Sequence, residues 1–143
     1  MIPANKLIFP VRILMTLSQA HPAVWELFLF GSYAEVLKNN RDSYNDVDLA
    51  MIADEDESLV KQVKSLTASF DIDMDIKIID RTNPHPPEWV RTIYNGKDDR
   101  GQTYVGRNFF EGYICLYHRQ APEREEVIRD EMPTVQSYIK AQG

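Results

Sequence analysis

A chain of 143 residues that is 43% hydrophobic and 27% charged has the size and balance of one soluble globular domain, not of a disordered segment. A formal net charge of -6 argues against binding duplexes by phosphate neutralisation, so no DNA partner is expected. The lone Cys115 excludes an internal disulfide, and no apolar run approaches the ~20 residues of a membrane span.

The N-terminal "LIFPVRILMTL" is interrupted by Arg12 and no small-residue cleavage site follows, so a cytoplasmic chain without membrane association is expected. "FPVRILMTLSQ" predicts a buried helix with Pro10 in its first turn. "WELFLF", Trp25 to Phe30, is apolar on both faces apart from Glu26 and predicts a central strand. Gly31-Ser32 ends it, and "SYAEVLK" predicts a short helix with Ser32 near its N-cap. "NNRDSYN" is loop by composition, and "DVDLAMI" is the next strand. In "DEDESLVKQVKSLTASF", Asp54 and Glu57 imitate a capping box, and Leu59, Val63, Leu66 and Phe70 recur at helical spacing.

"DIDMDIKII", Asp71 to Ile79, alternates strictly, with Ile72, Met74, Ile76 and Ile78 on one face and Asp71, Asp73, Asp75 and Lys77 on the other. "PPEWVRTIY" predicts a helix, on the strength of Trp89 and Ile93 four apart. "NGKDDRGQTYVGRN" reads as a solvated loop whose Lys97, Arg100 and Arg107 offer positive charge to a triphosphate or a partner. "GYICLY" is a last short strand that buries Cys115 as a small hydrophobe. The tail from Pro122 predicts a helix kinked at Pro133. Strands alternating with helices predict an α/β (α+β) domain over residues 1–143: a small mixed sheet with flanking helices, a core from about 6 to 117, and a helical tail over 118–143.

The carboxylates raise the chemical question. Alternation puts Asp46 and Asp48 on one face of their strand, about 6.6 Å apart along it. Asp73 and Asp75 share a face of a strand that could lie beside it. Three carboxylates converging within ~5 Å repel by roughly 3 kcal/mol per pair at an effective dielectric of ~20. Summed, that is comparable to a domain's net stability of about 5–15 kcal/mol. Either the acids face open water, or one is protonated, or a divalent cation lies among them. Oxygen-only anionic ligands suit Mg²⁺ or Mn²⁺ rather than zinc. The Gly31-Ser32 turn, entering a helix, presents free backbone N–H groups to an anion, and the Ser32 hydroxyl can donate to a phosphate oxygen. His21, His85 and His118 stand apart and receive no metal or catalytic role.

"LFLFGS", then "NDVDLAMI", then "DIDMDIKII" resembles the nucleotidyltransferase superfamily that includes DNA polymerase beta. It is most similar to the minimal nucleotidyltransferases of bacterial HEPN–MNT toxin–antitoxin pairs. The likeness runs from about Lys6 to Tyr117 and includes the closing strand "EGYICLY". It implies a polymerase beta-like fold and a magnesium-dependent nucleotidyltransferase that binds ATP.

Asp46, Asp48 and Asp75 would be catalytic and bind two Mg²⁺ ions, with Asp73 the alternate third acid. Gly31 and Ser32 would hold the β- and γ-phosphates. Where the family carries a basic residue after the Gly-Ser turn this chain has Glu35, so Lys38, Arg41 or Lys77 is needed to replace it, and Lys38 and Lys77 are taken as nucleotide-binding. The spacer from Ser32 to Asp46 is also longer than usual for the family. The implied acceptor is a tyrosine of a HEPN-type toxin, which makes the chain an antitoxin. An enzyme acting on a small-molecule hydroxyl, as aminoglycoside nucleotidyltransferases do, is the second reading. An antitoxin that binds nucleotide or protein with little catalysis is the third. Homo- or hetero-oligomers are compatible with all three.

Overall fold

The computed structural model describes residues 1–82, 90–103, 112–130 and 132–133, with only the backbone at 99–103. Its elements in chain order are β1 (Ile2–Pro3), α1 (Phe9–Ala20), β2 (Val24–Phe30), α2 (Gly31–Leu37), β3 (Val47–Ala53) and α3 (Glu57–Ser69). Then follow β4 (Met74–Asp80), β5 (Val90–Tyr94), β6 (Lys97–Thr103), β7 (Ile114–His118) and β8 (Val127–Ile128). Six strands form a mixed sheet in the order β6-β5-β4-β3-β2-β7, so the expected small mixed sheet with helices beside it is what the chain builds. Within this six-stranded sheet only β3 and β4 run parallel, because α3 carries the chain back between them, and a tight turn cannot join parallel neighbours.

Alternation sorts the side chains. Leu27, Leu29, Leu49, Met51, Met74 and Ile76 face one way and pack with Val11, Leu14 and Met15 of α1 and Leu59, Val63 and Leu66 of α3. Phe28, Ala50, Ile52, Ile79, Val90 and Cys115 form a smaller cluster on the opposite face. Burial pushes the Cys115 thiol up to about 12, which leaves it inert as a nucleophile. Among the described residues, no helix is long and apolar enough to cross a membrane.

Several expectations need correction. Asp56, not Asp54, caps α3, its carboxylate accepting from the Leu59 N–H at 3.0 Å. Ser32 lies near the N-cap of α2, as expected; Phe30 holds the cap position itself and no side chain caps the helix. The fourth strand starts at Met74, leaving Asp71 to Asp73 before it.

The helix expected at the "PPEWVRTIY" segment is a strand over Val90–Tyr94, while residues 83–89, His85 and Trp89 among them, lie outside the described residues. The segment read as a loop pairs with it as β6. Asn95 and Gly96 make the turn, both at positive φ (47° and 82°), which is the backbone that a two-residue Asn-Gly hairpin requires. The tail is not a helix where it is described: Pro122–Arg124 is a single 3₁₀ turn, and Val127–Ile128 pairs in parallel with β1. Residues 134–143 lie outside the described residues.

Candidate functional site

Register assembles the site. Phe30 of β2 pairs with Asp48 of β3, Asp48 with Asp75 of β4, Asp75 with Tyr94 of β5, and Tyr94 with Lys97 of β6. Paired residues share a face, so these five form one row across the sheet, on the side away from α1 and α3. Asp46 stands just before β3, half-buried, and the next residue's N–H donates to the Asp73 carbonyl at 3.0 Å.

Carboxylates adjacent in a half-buried row lose hydration and repel one another, and both effects disfavour the charged form of Asp48. Its carboxyl is pushed up from an ordinary 3.8 to about 7, first by burial and then by the charges of Asp46 and Asp75. Lys77 opposes this from below. The residue is 8% exposed, and its ammonium lies 3.2 Å from the Asp75 carboxylate and 3.2 Å from the Thr92 hydroxyl. Burial nevertheless raises Asp75 on balance, against the pull of Lys77 and with a push from Asp46. The Lys77 ammonium is equally near both Asp75 oxygens, yet only Oδ2 has the angle for a hydrogen bond. Asp75 Oδ1 is buried with no hydrogen-bond partner.

The Gly-Ser turn touches the row directly. Gly31 has φ +75°, and a Cβ there would lie 2.3 Å from Asp48 Oδ2. Only glycine lets the turn approach the carboxylate so closely. Ser32 holds the loop before β3: its hydroxyl accepts from the Asn45 N–H at 3.2 Å and donates to the Asp46 carbonyl at 3.5 Å. The hydroxyl expected to meet a phosphate thus also fixes the segment that carries Asp46.

The remaining expected residues fall elsewhere. Asp73 is exposed and turned to the β5-β6 hairpin, where Asn95 Nδ2 donates to it at 3.3 Å and where its carboxylate holds the Tyr94 phenol above its ordinary pKa. Asp75, not Asp73, therefore shares the row with Asp48. Glu35 is held below the usual carboxylate range by the Asn40 amide, 2.7 Å away, and then by Lys38. The Lys38 ammonium binds Glu35 at 3.4 Å and the Gly112 carbonyl, at the far end of α2 from Gly31. Lys77 is buried beneath the acids. Arg107 lies outside the described residues. His21 Nδ1 accepts from the Ala23 N–H at 3.1 Å, and His118 pairs with Glu26 at 2.5 Å, so neither belongs to the row.

Among the described residues, no three acidic, histidine or cysteine side chains stand close enough, as oriented, to hold a metal ion. The donor chemistry still suits a hard cation: oxygen ligands only, a buried Asp75 Oδ1 that accepts no hydrogen bond, and on Asp48 a proton that a cation would displace. The fit is one of donor set and strand register rather than of a closed chelate. Thr92 and Tyr94 were not among the residues singled out in the sequence. The Asn95-Gly96 dipeptide after the β-branched "VRTIY" is the signal that would have found their strand. Compared with family models, with curated proteins and with solved structures, the chain gives no match in any of the three.

Proposed function

We propose that the chain is a magnesium-dependent nucleotidyltransferase of the polymerase beta-like kind, moving AMP from ATP to a hydroxyl group. The contact of Gly31 with the Asp48 carboxylate carries the reading, because it joins a turn rich in free N–H groups to a row of acids. The first N–H groups of a helix have no intrahelical acceptor, so those after Gly31 are available to the β- and γ-phosphates. Asp46, Asp48 and Asp75 would hold Mg²⁺, with Mn²⁺ able to replace it. Bound there, the ions supply Lewis-acid stabilisation of the charge that develops on the transferring phosphoryl group.

The chain's own groups do the positioning. Ser32 ties Asp46 to the phosphate turn, and Lys77 offsets the Asp75 charge beneath the row. Asp75 lies between Asp48 and the β5 hairpin, and in this reading it would serve the metal that faces the acceptor hydroxyl. That the acceptor is a tyrosine of a HEPN-type toxin, met in the cytoplasm by this chain as antitoxin, rests on the sequence resemblance alone.

A second reading, an antitoxin that binds nucleotide or protein with little catalysis, is favoured by Glu35. It keeps its negative charge and draws Lys38 to itself and to Gly112. Incubation with α-labelled ATP, Mg²⁺ and a candidate toxin separates the possibilities. Label on a toxin tyrosine is expected. Label only on small hydroxyl compounds would favour an aminoglycoside-type enzyme, and a stable complex without label the binding-only reading. Asp48→Asn should cost at least roughly 100-fold in transfer, the scale of a lost electrostatic partner. Unchanged turnover in that variant would refute the role given to the acids.

A further inference from the structure

We infer that Tyr94 is itself an acceptor: the chain transfers a nucleoside monophosphate from a nucleoside triphosphate onto its own Tyr94 hydroxyl. The inference rests on the nucleotidyltransferase reading above and adds an acceptor that this reading does not name. Tyr94 is the cross-strand partner of Asp75 on the face that also carries Asp48. Paired side chains of this kind start about 5 Å apart. Tyr94 is 40% exposed, and its hydroxyl lies in the field of Asp73, Asp46 and Asp75, whose charges raise its pKa and keep the proton on it until it is taken up. The Asn95-Gly96 turn holds it there, since the Asn95 side chain binds both Asp73 and the Met74 N–H, and the Gly96 N–H donates to Thr67 of α3 at 3.0 Å.

The other described tyrosines are turned elsewhere. Tyr33 is 3% exposed and its hydroxyl accepts from the Ile8 N–H, Tyr44 stacks edge-on against Tyr33, and the Tyr113 and Tyr117 hydroxyls accept from Arg124 and Arg119.

In the step, the phenolic oxygen forms a bond to the α-phosphorus. The bond from that phosphorus to the bridging oxygen breaks, and pyrophosphate leaves with the electron pair. The phenolic proton passes to the neighbouring Asp73 carboxylate and from there to water.

The full chain is incubated with α-labelled ATP and Mg²⁺ over about a tenfold range of protein concentration, then digested and mapped by mass spectrometry. The expected result is one nucleoside monophosphate on Tyr94, added at a first-order rate that dilution leaves unchanged. The mark should fall at least roughly 100-fold in Asp48→Asn and be missing from the same peptide of Tyr94→Phe. Label on Tyr44, on another residue or on an added hydroxyl compound, but never on Tyr94, would overturn this inference and leave the nucleotidyltransferase reading standing. ATP that binds without transfer to anything would overturn both. Labelling of Tyr94 that slows in proportion to dilution would overturn the assignment to the chain's own site.

Discussion

Asp48 is where function and stability pull in opposite directions. Its folded-state pKa of about 7 lies above the ordinary 3.8, so between those values the folded chain keeps a proton that the unfolded chain has lost. Stability from this group is therefore intact below pH 3.8, declines as pH rises toward about 7, and stays reduced above it. After a discount for partial exposure, the loss is on the order of 1–3 kcal/mol. Asp48→Asn should then raise the melting temperature at pH 8, change it little at pH 4, and abolish transfer. A variant less stable than the parent at pH 8 would contradict the repulsion seen in the row. Gly31 gives the complementary test. Gly31→Ala should cost roughly 2 kcal/mol in urea denaturation, from left-handed backbone and from the Asp48 carboxylate together. In an Asp48→Ala background only the backbone part, ~1 kcal/mol, should remain. Equal costs in the two backgrounds would show that the turn and the acid do not touch.

The β5-β6 hairpin is the element that completes the row, and its sequence carries two conflicting signals. Trp89 and Ile93 have helical spacing, but "VRTIY" is rich in β-branched residues and runs into Asn-Gly, a stronger local signal for a hairpin. By contrast β3, β4 and α3 were legible because their periods agree with their burial: Leu49 and Met51 alternate with Asp48 and Ala50, and Leu59, Val63 and Leu66 recur along α3. The tail failed for another reason. Val127 and Ile128 pair with Ile2 and Pro3 from the opposite end of the chain, a contact that no local pattern encodes. The hairpin also offers a stability test. A Cβ on Gly96 would lie 2.5 Å from the Ala68 Cβ and 3.1 Å from the Lys64 carbonyl oxygen, both fixed on α3. Gly96→Ala should therefore destabilise by roughly 2–3 kcal/mol in the same denaturation assay, and a neutral effect would mean that the hairpin does not dock there.

Across the whole molecule, the sheet divides its labour by face: helices and the larger core on one side, the acid row at one end of the other. Parity in the sequence was enough to put Asp46 with Asp48 and Asp73 with Asp75. Parity does not separate Asp73 from Asp75, and the preference for Asp75 comes from the family resemblance; the β3-β4 register, which no local pattern encodes, is what pairs Asp48 with Asp75. The Lys38–Glu35 pair is a local i,i+3 contact, but the sequence could not disclose that Lys38 also binds the Gly112 carbonyl or that Lys77 is buried against Thr92, since both partners are distant along the chain.

A cation entering the row competes with the Asp48 proton, so Mg²⁺ should stabilise the fold more at pH 8 than at pH 5.5. At about 100 times its dissociation constant the gain should approach ~2.7 kcal/mol at the higher pH. The most direct test is titration of Mn²⁺ into the chain in the presence of a non-hydrolysable ATP analogue, with free Mn²⁺ followed by electron paramagnetic resonance. About two ions should bind per chain, with affinity at least roughly tenfold weaker in Asp48→Asn and in Asp75→Asn, the scale of a lost charged ligand. Binding that is no tighter than Mn²⁺ to the analogue alone, or that both variants leave untouched, would contradict the claim that these acids form a metal and nucleotide site.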